Sequence, residues 1–334
     1  MKFKFFVGID VSKLTLDLMV KDQDDVLFQG QVSNDKKGLR AFEKECKARH
    51  IDLKKSLICM EHTGIYNAVS LAYFYQKNYA IWLENAIQIK QSMGLTRGKN
   101  DKVDALRIGE YACRYQDKTR LWEPEREVIT QIKYLSSLRK RLIDTKNQLA
   151  VPLKEMTGTI DKKLKAKLEK FTAQPIRELE KKIKEVETEI KKVITSDQRL
   201  SELYGQVCSV DGVGEVLFCE IIGRTNEFKD ITEAKKFACY AGVAPFEHSS
   251  GSSVRGKNRV SRMGNKSTKR LLHMAALSVL VRDGELGRFY NRKIEEGKNK
   301  MSVINAVRNK IIHRVFACVK ENRKYDKTYT HQLA

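Results

Sequence analysis

The chain has 334 residues, 41% of them hydrophobic, and sets 64 lysines and arginines against 42 aspartates and glutamates, a formal net charge of +22. That length allows two or three domains with sizeable cores. The charge points to a polyanionic partner, nucleic acid ahead of an anionic membrane surface. No apolar run approaches the roughly 18 to 20 residues that span a bilayer, so a membrane protein is not expected. The start, MKFKFFVGIDVSK, is basic and apolar but runs into acids with no small-residue cleavage site, so it reads as a strand rather than a secretion signal. The seven cysteines, Cys46, Cys59, Cys113, Cys208, Cys219, Cys239 and Cys318, form no CxxC pair and mostly lie in apolar runs. Reduced thiols in a cytoplasmic, nucleoid-associated protein are expected, not a zinc site or a disulfide framework.

In chain order, KFFVGIDV is a buried run, LTLDLMV alternates, and VLFQGQV follows the turn-like KDQDD, which predicts three strands over residues 3 to 32. DKKGLRAFEKECKARH has helical spacing through Leu39, Phe42 and Cys46. SLICME is a further short strand, a helix follows around YNAVSLAYFYQ, YAIWLEN is another strand, and DKVDALRIGEYACRY is helical. Three strands, helix, strand, helix, strand, helix is the order of an RNase H-like α/β domain, placed at 1–122.

From 123 to 199 strands vanish. Ile176, Leu179, Ile183, Val186, Ile190 and Val193 step by 3, 4, 3, 4, 3, an a/d seam, and Val128, Ile132, Leu135, Leu142 and Leu149 keep a related register upstream. Two long helices joined near VPLKEMTGTIDKK predict either an antiparallel hairpin or a dimer-forming coiled coil, an oligomerisation region rather than a chemical one. Residues 200–325 form a third, mostly helical region. In it, LYGQVCSVDGVGEVLFCEII places a Gly-Val-Gly turn between two helical stretches, a helix-hairpin-helix-like element. EAKKFACYAGVAP reads as a helix ending in a turn, and SSGSSVRGKNRVSRMGNKSTKR as a polar, glycine-studded loop before the apolar LLHMAALSVLV. The helix SVINAVRNKIIHRVFACVKE carries Val303, Val307, Ile311 and Val315 on one face, and 326–334 is expected to be a flexible tail.

Four acids fall where such a first domain brings its elements together. Asp10 ends the first strand in VGIDVSK, and Glu61 ends the fourth in LICMEHTG. Asp101 and Asp104 open the last helix in KNDKVDA, where a spacing of three puts both side chains within about 60° of each other around the axis. Grouped carboxylates repel unless a cation neutralises them, and Mg²⁺, a hard ion with oxygen ligands, is the natural partner; two such ions roughly 4 Å apart clamp a phosphodiester. Taken singly, each acid also has an ordinary explanation, Asp101 as an N-cap and Asp104 at the third helical position. GID alone would suit a sugar-kinase or actin-like ATPase, but the glycine-rich phosphate loops of that fold are absent.

The segment FEHSSGSSVRGKNRVSRMGNKSTKR concentrates Ser249, Ser250, Ser252 and Ser253 before Arg255, Lys257, Arg259, Arg262, Lys266, Lys269 and Arg270. Guanidinium forks and Gly251 and Gly256 make this a candidate phosphate-binding loop. A serine attacks phosphorus only if its proton is removed and the developing charge is met by cations. Composition leaves open whether any of these serines does so. His248 stands beside them without completing a Ser-His-Asp pattern.

Together GIDVSK, EHTGIY, KNDKVDA, the helical middle, SVDGVGEV and YAGVAPFEHSSGSSVRG resemble, over nearly the whole chain, the DEDD-type transposases of insertion sequences, bridge-RNA-guided serine recombinases. The resemblance implies a RuvC-like first domain whose catalytic, Mg²⁺-holding acids are Asp10, Glu61, Asp101 and Asp104. It implies a C-terminal domain whose nucleophile maps onto Ser250, with Ser249 a confusable neighbour and Ser252 a poorer fit. It implies DNA donor and target, a structured non-coding guide RNA, and a homo-oligomer, dimer or tetramer, in which the two domains meet across protomers. His62 departs from the small residue common after the glutamate. Two other readings stand beside this one: a metal-dependent, Holliday-junction resolvase-like nuclease using the acids and water alone, and a non-catalytic nucleic-acid-binding scaffold.

Overall fold

Alternating and continuous apolar runs close the N-terminal third into one sheet. A computed structural model describes residues 3–92, 101–250, 254–260, 263–282 and 284–326, without the side chains of residues 101, 102, 247–250 and 254–259. The chain divides into two compact units, Met1–Pro124 and Glu125–Ala334.

In the first unit the strands are β1 (Phe5–Val11), β2 (Thr15–Lys21), β3 (Val26–Ser33), β4 (Ser56–Glu61) and β5 (Ala80–Glu84). The helices are α1 (Lys36–Ala48), α2 (Ala68–Gln76), α3 (Ala86–Ser92) and α4 (Asp101–Arg114). The sheet order is β3-β2-β1-β4-β5, with β1, β4 and β5 parallel and β2 antiparallel to both of its neighbours. This mixed sheet is compatible with the RNase H-like expectation. Period-two alternation sends Phe5, Val7 and Ile9 to one face, where they pack with Leu39 and Phe42 of α1 and Leu71 and Phe74 of α2. Phe6 goes to the other face, with Leu57, Cys59 and Trp82, against Ile108, Tyr111 and Ala112 of α4. The Asp35 carboxylate caps α1 by accepting from the Gly38 amide at 2.7 Å. The short α3 was not foreseen.

The second unit opens with α5 (Glu127–Glu155) and α6 (Lys162–Ser196). The seam left open whether these fold back or pair with another chain; they fold back. Arg139 pairs with Glu187 at 2.7 Å and Lys146 with Glu180 at 3.5 Å, numbers rising on one helix as they fall on the other. Burial fades away from the base: Ile129, Ile132, Ile190 and Val193 join the main core, whereas Leu164 and Phe171 are exposed. The core is completed by α7 (Gln198–Val207), α8 (Glu215–Thr225), α9 (Ala234–Tyr240), α10 (Lys266–Leu280), α11 (Glu285–Glu295) and α12 (Lys300–Lys320), with Phe218, Phe237, Val307 and Ile311 fully buried. Val303 and Val315 are buried beside them, as the helical spacing required.

In the Gly-Val-Gly turn between α7 and α8, Gly212 faces the core and Val213 is buried, whereas Gly214 is exposed. Gly212 has φ +85°, and a Cβ there would lie 2.6 Å from the Ala275 carbonyl of α10. After α8, Asn226, Glu227 and Phe228 all take positive φ. The fully buried Glu227 side chain pairs with Arg126 at 3.1 Å, Arg199 at 3.5 Å and Lys229 at 3.6 Å. Arg126 also pairs with Asp197, so it ties the start of α5 to two later turns.

The serine-rich segment differs from expectation. It is a hairpin, β6 (Pro245–Ser250) with β7 (Val254–Val260), not a loop. The seven cysteines form no disulfide, and Cys46, Cys59, Cys219 and Cys318 are buried. Burial pushes the Cys46 and Cys219 thiols up to about 12. Among the described residues, no helix is long and apolar enough to cross a membrane. The tail from 327 lies outside the described residues.

Candidate active site

Three of the four expected acids converge at one end of the first unit's sheet. Asp10 is the penultimate residue of β1, Glu61 the last of β4, and Asp104 lies in the first turn of α4. All three side chains are half-buried. Asp101 is the first residue of α4, and its side chain lies outside the description. The helix reaches this end because two glycines let it sit directly on the sheet. A Cβ on Gly8 would be 2.1 Å from the Ala105 carbonyl oxygen and 2.3 Å from the Gly109 amide nitrogen. No side chain fits between β1 and α4.

Burial, then the charges of Asp10 and Asp104, hold the Glu61 carboxyl above its ordinary range. Asp104 is partly balanced by Arg107, whose Nη1 lies 2.9 Å from Oδ1. The strand end itself is braced from behind. Buried Asn67 donates from Nδ2 to the Glu61 carbonyl at 2.9 Å, and its Oδ1 accepts from the Thr63 amide at 2.7 Å and from the Thr63 hydroxyl at 2.9 Å. His62 is exposed, and its amide donates to the Glu84 carbonyl, continuing the strand pairing past the glutamate.

Two further acids share this face, and sequence reasoning passed over both. Asp17 lies directly opposite Asp10 in the β1–β2 register, is 4% exposed, and accepts from the Gln31 amide nitrogen at 3.1 and 3.0 Å. Glu84 lies beside Glu61 in the β4–β5 register and accepts from the Tyr111 hydroxyl at 3.2 Å. The signal for Asp17 was its place in LTLDLMV, an acid on the same alternation phase as Leu-free positions of the sheet's other face.

The donor set is all carboxylate, the chemistry that suits a hard divalent ion, and burial together with the charges of Asp10 and Asp104 raises the Glu61 carboxyl. The donor chemistry of these residues fits such an ion, but their spacing does not yet gather them around one: among the described residues, no three acid, imidazole or thiol groups are close enough to hold it unaided.

In the second unit Ser250 ends β6 and pairs in register with Val254, while Ser249 pairs with Arg255; Gly251, Ser252 and Ser253 at the tip lie outside the described residues. Lys257 and Arg259 are also on β7, Arg262 lies outside the description, and Lys266, Lys269 and Arg270 occupy the first turns of α10. The root of the hairpin is clamped. The Asn305 amide donates to the Val243 carbonyl at 2.7 Å, the Asn265 backbone amide donates to the Tyr240 carbonyl at 2.8 Å, and a Cβ on Gly264 would lie 2.3 Å from Gly242 Cα. Asn265 also caps α10, accepting from the Thr268 amide at 3.0 Å.

Two family matches fall on the chain, the first spanning the first unit and α5 of the second, the other lying within the second. Residues 7–157 match a transposase family of the DEDD IS110 type, and residues 205–291 match the transposase IS116/IS110/IS902 family. The pilin gene-inverting protein of Moraxella bovis is 25% identical over 329 residues, which are 97% of this chain and 98% of that protein, and its Moraxella lacunata counterpart is equally similar. A protein of insertion element IS110 from Streptomyces coelicolor is 26% identical over 118 residues, 35% of this chain and 29% of that one.

Proposed function

We propose, for a chain that belongs to the IS110/IS116/IS902 transposase family and is a DNA transposase or recombinase, that it cuts and rejoins DNA through a covalent link to Ser250 with the help of metal-holding acids. One observation carries the acidic half: Asp10 and Asp104 stand near enough to Glu61 for both to raise its carboxyl. Asp10, Glu61, Asp101 and Asp104 would hold Mg²⁺. A bound divalent ion supplies charge neutralisation at the phosphate and at the departing oxygen.

The chain's own groups account for the rest. Ser250 Oγ attacks phosphorus, so an Oγ–P bond forms as the P–O bond to the departing strand breaks; the serine gives up its proton and the departing oxygen takes one up. Attack by the hydroxyl of an incoming strand reverses these changes. The number of phosphate esters is conserved, and no nucleotide is consumed. Arginines and lysines of β7 and the start of α10 follow the strand's backbone. A structured non-coding RNA selects donor and target by base pairing, a reading supported by family likeness. The +22 charge suits a protein that handles both polymers. The relatives named for inverting a pilin gene support inversion of a DNA segment as one outcome of the same chemistry. Exposed Leu164 and Phe171 on the long-helix arm support assembly into a homo-oligomer.

The test is to trap the DNA adduct of the full chain and locate it by peptide mass spectrometry. The adduct is expected on Ser250, absent in Ser250→Ala, and dependent on Mg²⁺, with Asp104→Asn losing at least about 10²-fold in cleavage. An adduct outside residues 249–253, or cleavage undiminished in excess chelator, would refute the proposal. Normal cleavage by Ser250→Ala would favour the resolvase-like reading, in which water attacks.

A further inference from the structure

The root of the β6–β7 hairpin stands beside positive charge that no described acid neutralises. Arg308 of α12 is 6% exposed, and a guanidinium at that depth ordinarily faces a carboxylate. This one faces neutral groups. Its Nη2 contacts His273 Nδ1, and its Nη1 donates to Asn305 Oδ1 at 3.4 Å. Its Nε is buried with no hydrogen-bond partner among the described residues.

Lys269 lies one helical turn before His273 on α10, and both are half-buried, so the cluster opens to solvent through them. Among the described side chains, no acid offsets the three. Burial, then the charge of Arg308, holds both the Lys269 ammonium and the His273 imidazolium below their ordinary ranges, and Arg308 itself is lowered by burial alone. With Nδ1 accepting from Arg308, a neutral His273 carries its proton on Nε2 and has a donor to spare. Asn305 links the cluster to the hairpin: its Oδ1 faces Arg308, and its Nδ2 holds the Val243 carbonyl two residues before β6.

Burying an unpaired guanidinium is costly, and an entering anion removes the cost. Arginine's planar fork fits the paired oxygens of a phosphate, lysine adds a point charge, and the imidazole adds a neutral donor. We propose that Arg308, Lys269 and His273 form a phosphate site, taking one backbone phosphodiester of a nucleic-acid strand beside the root of the hairpin that ends at Ser250. The site deepens the recombinase reading and rests on it for the identity of the polymer. Lys269 belongs to the basic run visible in the sequence; Arg308 and His273 do not.

The experiment is fluorescence anisotropy of the full chain with a short labelled DNA duplex and, separately, an RNA of matching sequence, across a potassium chloride series. Arg308→Met and Lys269→Gln are each expected to weaken binding about tenfold and to reduce the slope of log affinity against log salt by about 0.9 on duplex DNA. Arg308→Lys keeps the slope. A shift on the duplex assigns the phosphate to DNA, and a shift on RNA alone assigns it to RNA. Arg308→Met is further expected to melt no lower than the parent, because removing the buried charge offsets the loss of its two hydrogen bonds to the neutral His273 and Asn305. Unchanged salt slopes in both Arg308→Met and Lys269→Gln would overturn the site, as would a lower melting temperature of Arg308→Met with binding intact. Ser250→Ala should leave the slope alone, so failure of the nucleophile and failure of this site are distinguishable.

Discussion

Substituting Gly8 by alanine should separate the two compact jobs of the β1–α4 contact, stability and aim. The added Cβ would sit 2.1 Å from the Ala105 carbonyl and 2.3 Å from the Gly109 amide, where ordinary contact begins near 3.4 Å. Both obstacles are backbone, so no side chain can swing aside, and α4 must lift from the sheet by about 1 Å. Overpacking of this kind costs about 1–3 kcal/mol, and the rigid partners put Gly8→Ala near the top of that range. For a unit of this size that is about 10 °C in the first-unit transition of the full chain, followed by calorimetry. The lift also carries Asp104 away from Asp10 and Glu61, for a loss of about 10²-fold in Mg²⁺-dependent DNA cleavage. Gly109→Ala is the control. Its Cβ meets the flexible end of Met19 at 2.3 Å, and the gain in helix propensity of about 1 kcal/mol offsets much of the repacking. A Gly8→Ala protein that melts within about 2 °C of the parent and cleaves at full rate would refute the claim that this contact aims the helix.

Glu61→Gln tests the charge crowding at the strand ends. A carboxyl raised in the folded state keeps a proton that the unfolded chain has lost, so its contribution to stability falls as pH rises from the ordinary 4.5 through the raised value. The parent's first-unit transition should therefore fall relative to Glu61→Gln between about pH 4.5 and neutrality, and Mg²⁺ should restore more of it in the parent; parallel melting profiles with and without Mg²⁺ would count against the crowding. Arg126→Met leaves buried Glu227 with Arg199 and Lys229 only, at 3.5 and 3.6 Å. A loss of about 2 kcal/mol in urea unfolding is expected, short of the full cost of stranding a buried charge because two cations remain; a loss below about 0.5 kcal/mol would mean the pair contributes no more than a surface contact.

The strands and helices of the first unit were legible because their apolar residues repeat with the period of the element they form. SLICME and β4 coincide, and Leu39, Phe42 and Cys46 are all buried on α1. The serine-rich hairpin was not legible, because Ser, Gly and Arg carry no apolar alternation and β6 and β7 are joined through backbone pairing. The seam of α6 gave the helix but not its partner; an a/d stripe is satisfied equally by a returning helix or a second chain, and the short turn between Glu155 and Lys162 decided it. Asp10, Glu61 and Asp104 could be read as a set from their places at strand and helix ends. For Asp17 the alternation in LTLDLMV gave the face but not its pairing with Asp10, and Asn67 could not be read at all, because what distinguishes both is who lies opposite, a register fact that a single sequence does not print. Arg308 was hidden in the same way, one position along from the buried Val307 in a helix whose apolar stripe drew attention instead.

The fold-back of α5 and α6 means the polypeptide leaves the body at Ile129 and Ile132 and returns to it at Ile190 and Val193. Matched deletions from the outgoing and returning limbs would shorten this spur while keeping both attachment points and every residue beneath them. If the proposed assembly runs through this spur, the reach of each copy would be set by a length that the rest of the chain does not feel. Reach could be lengthened or trimmed, one heptad on each limb at a time, without redesigning what does the chemistry.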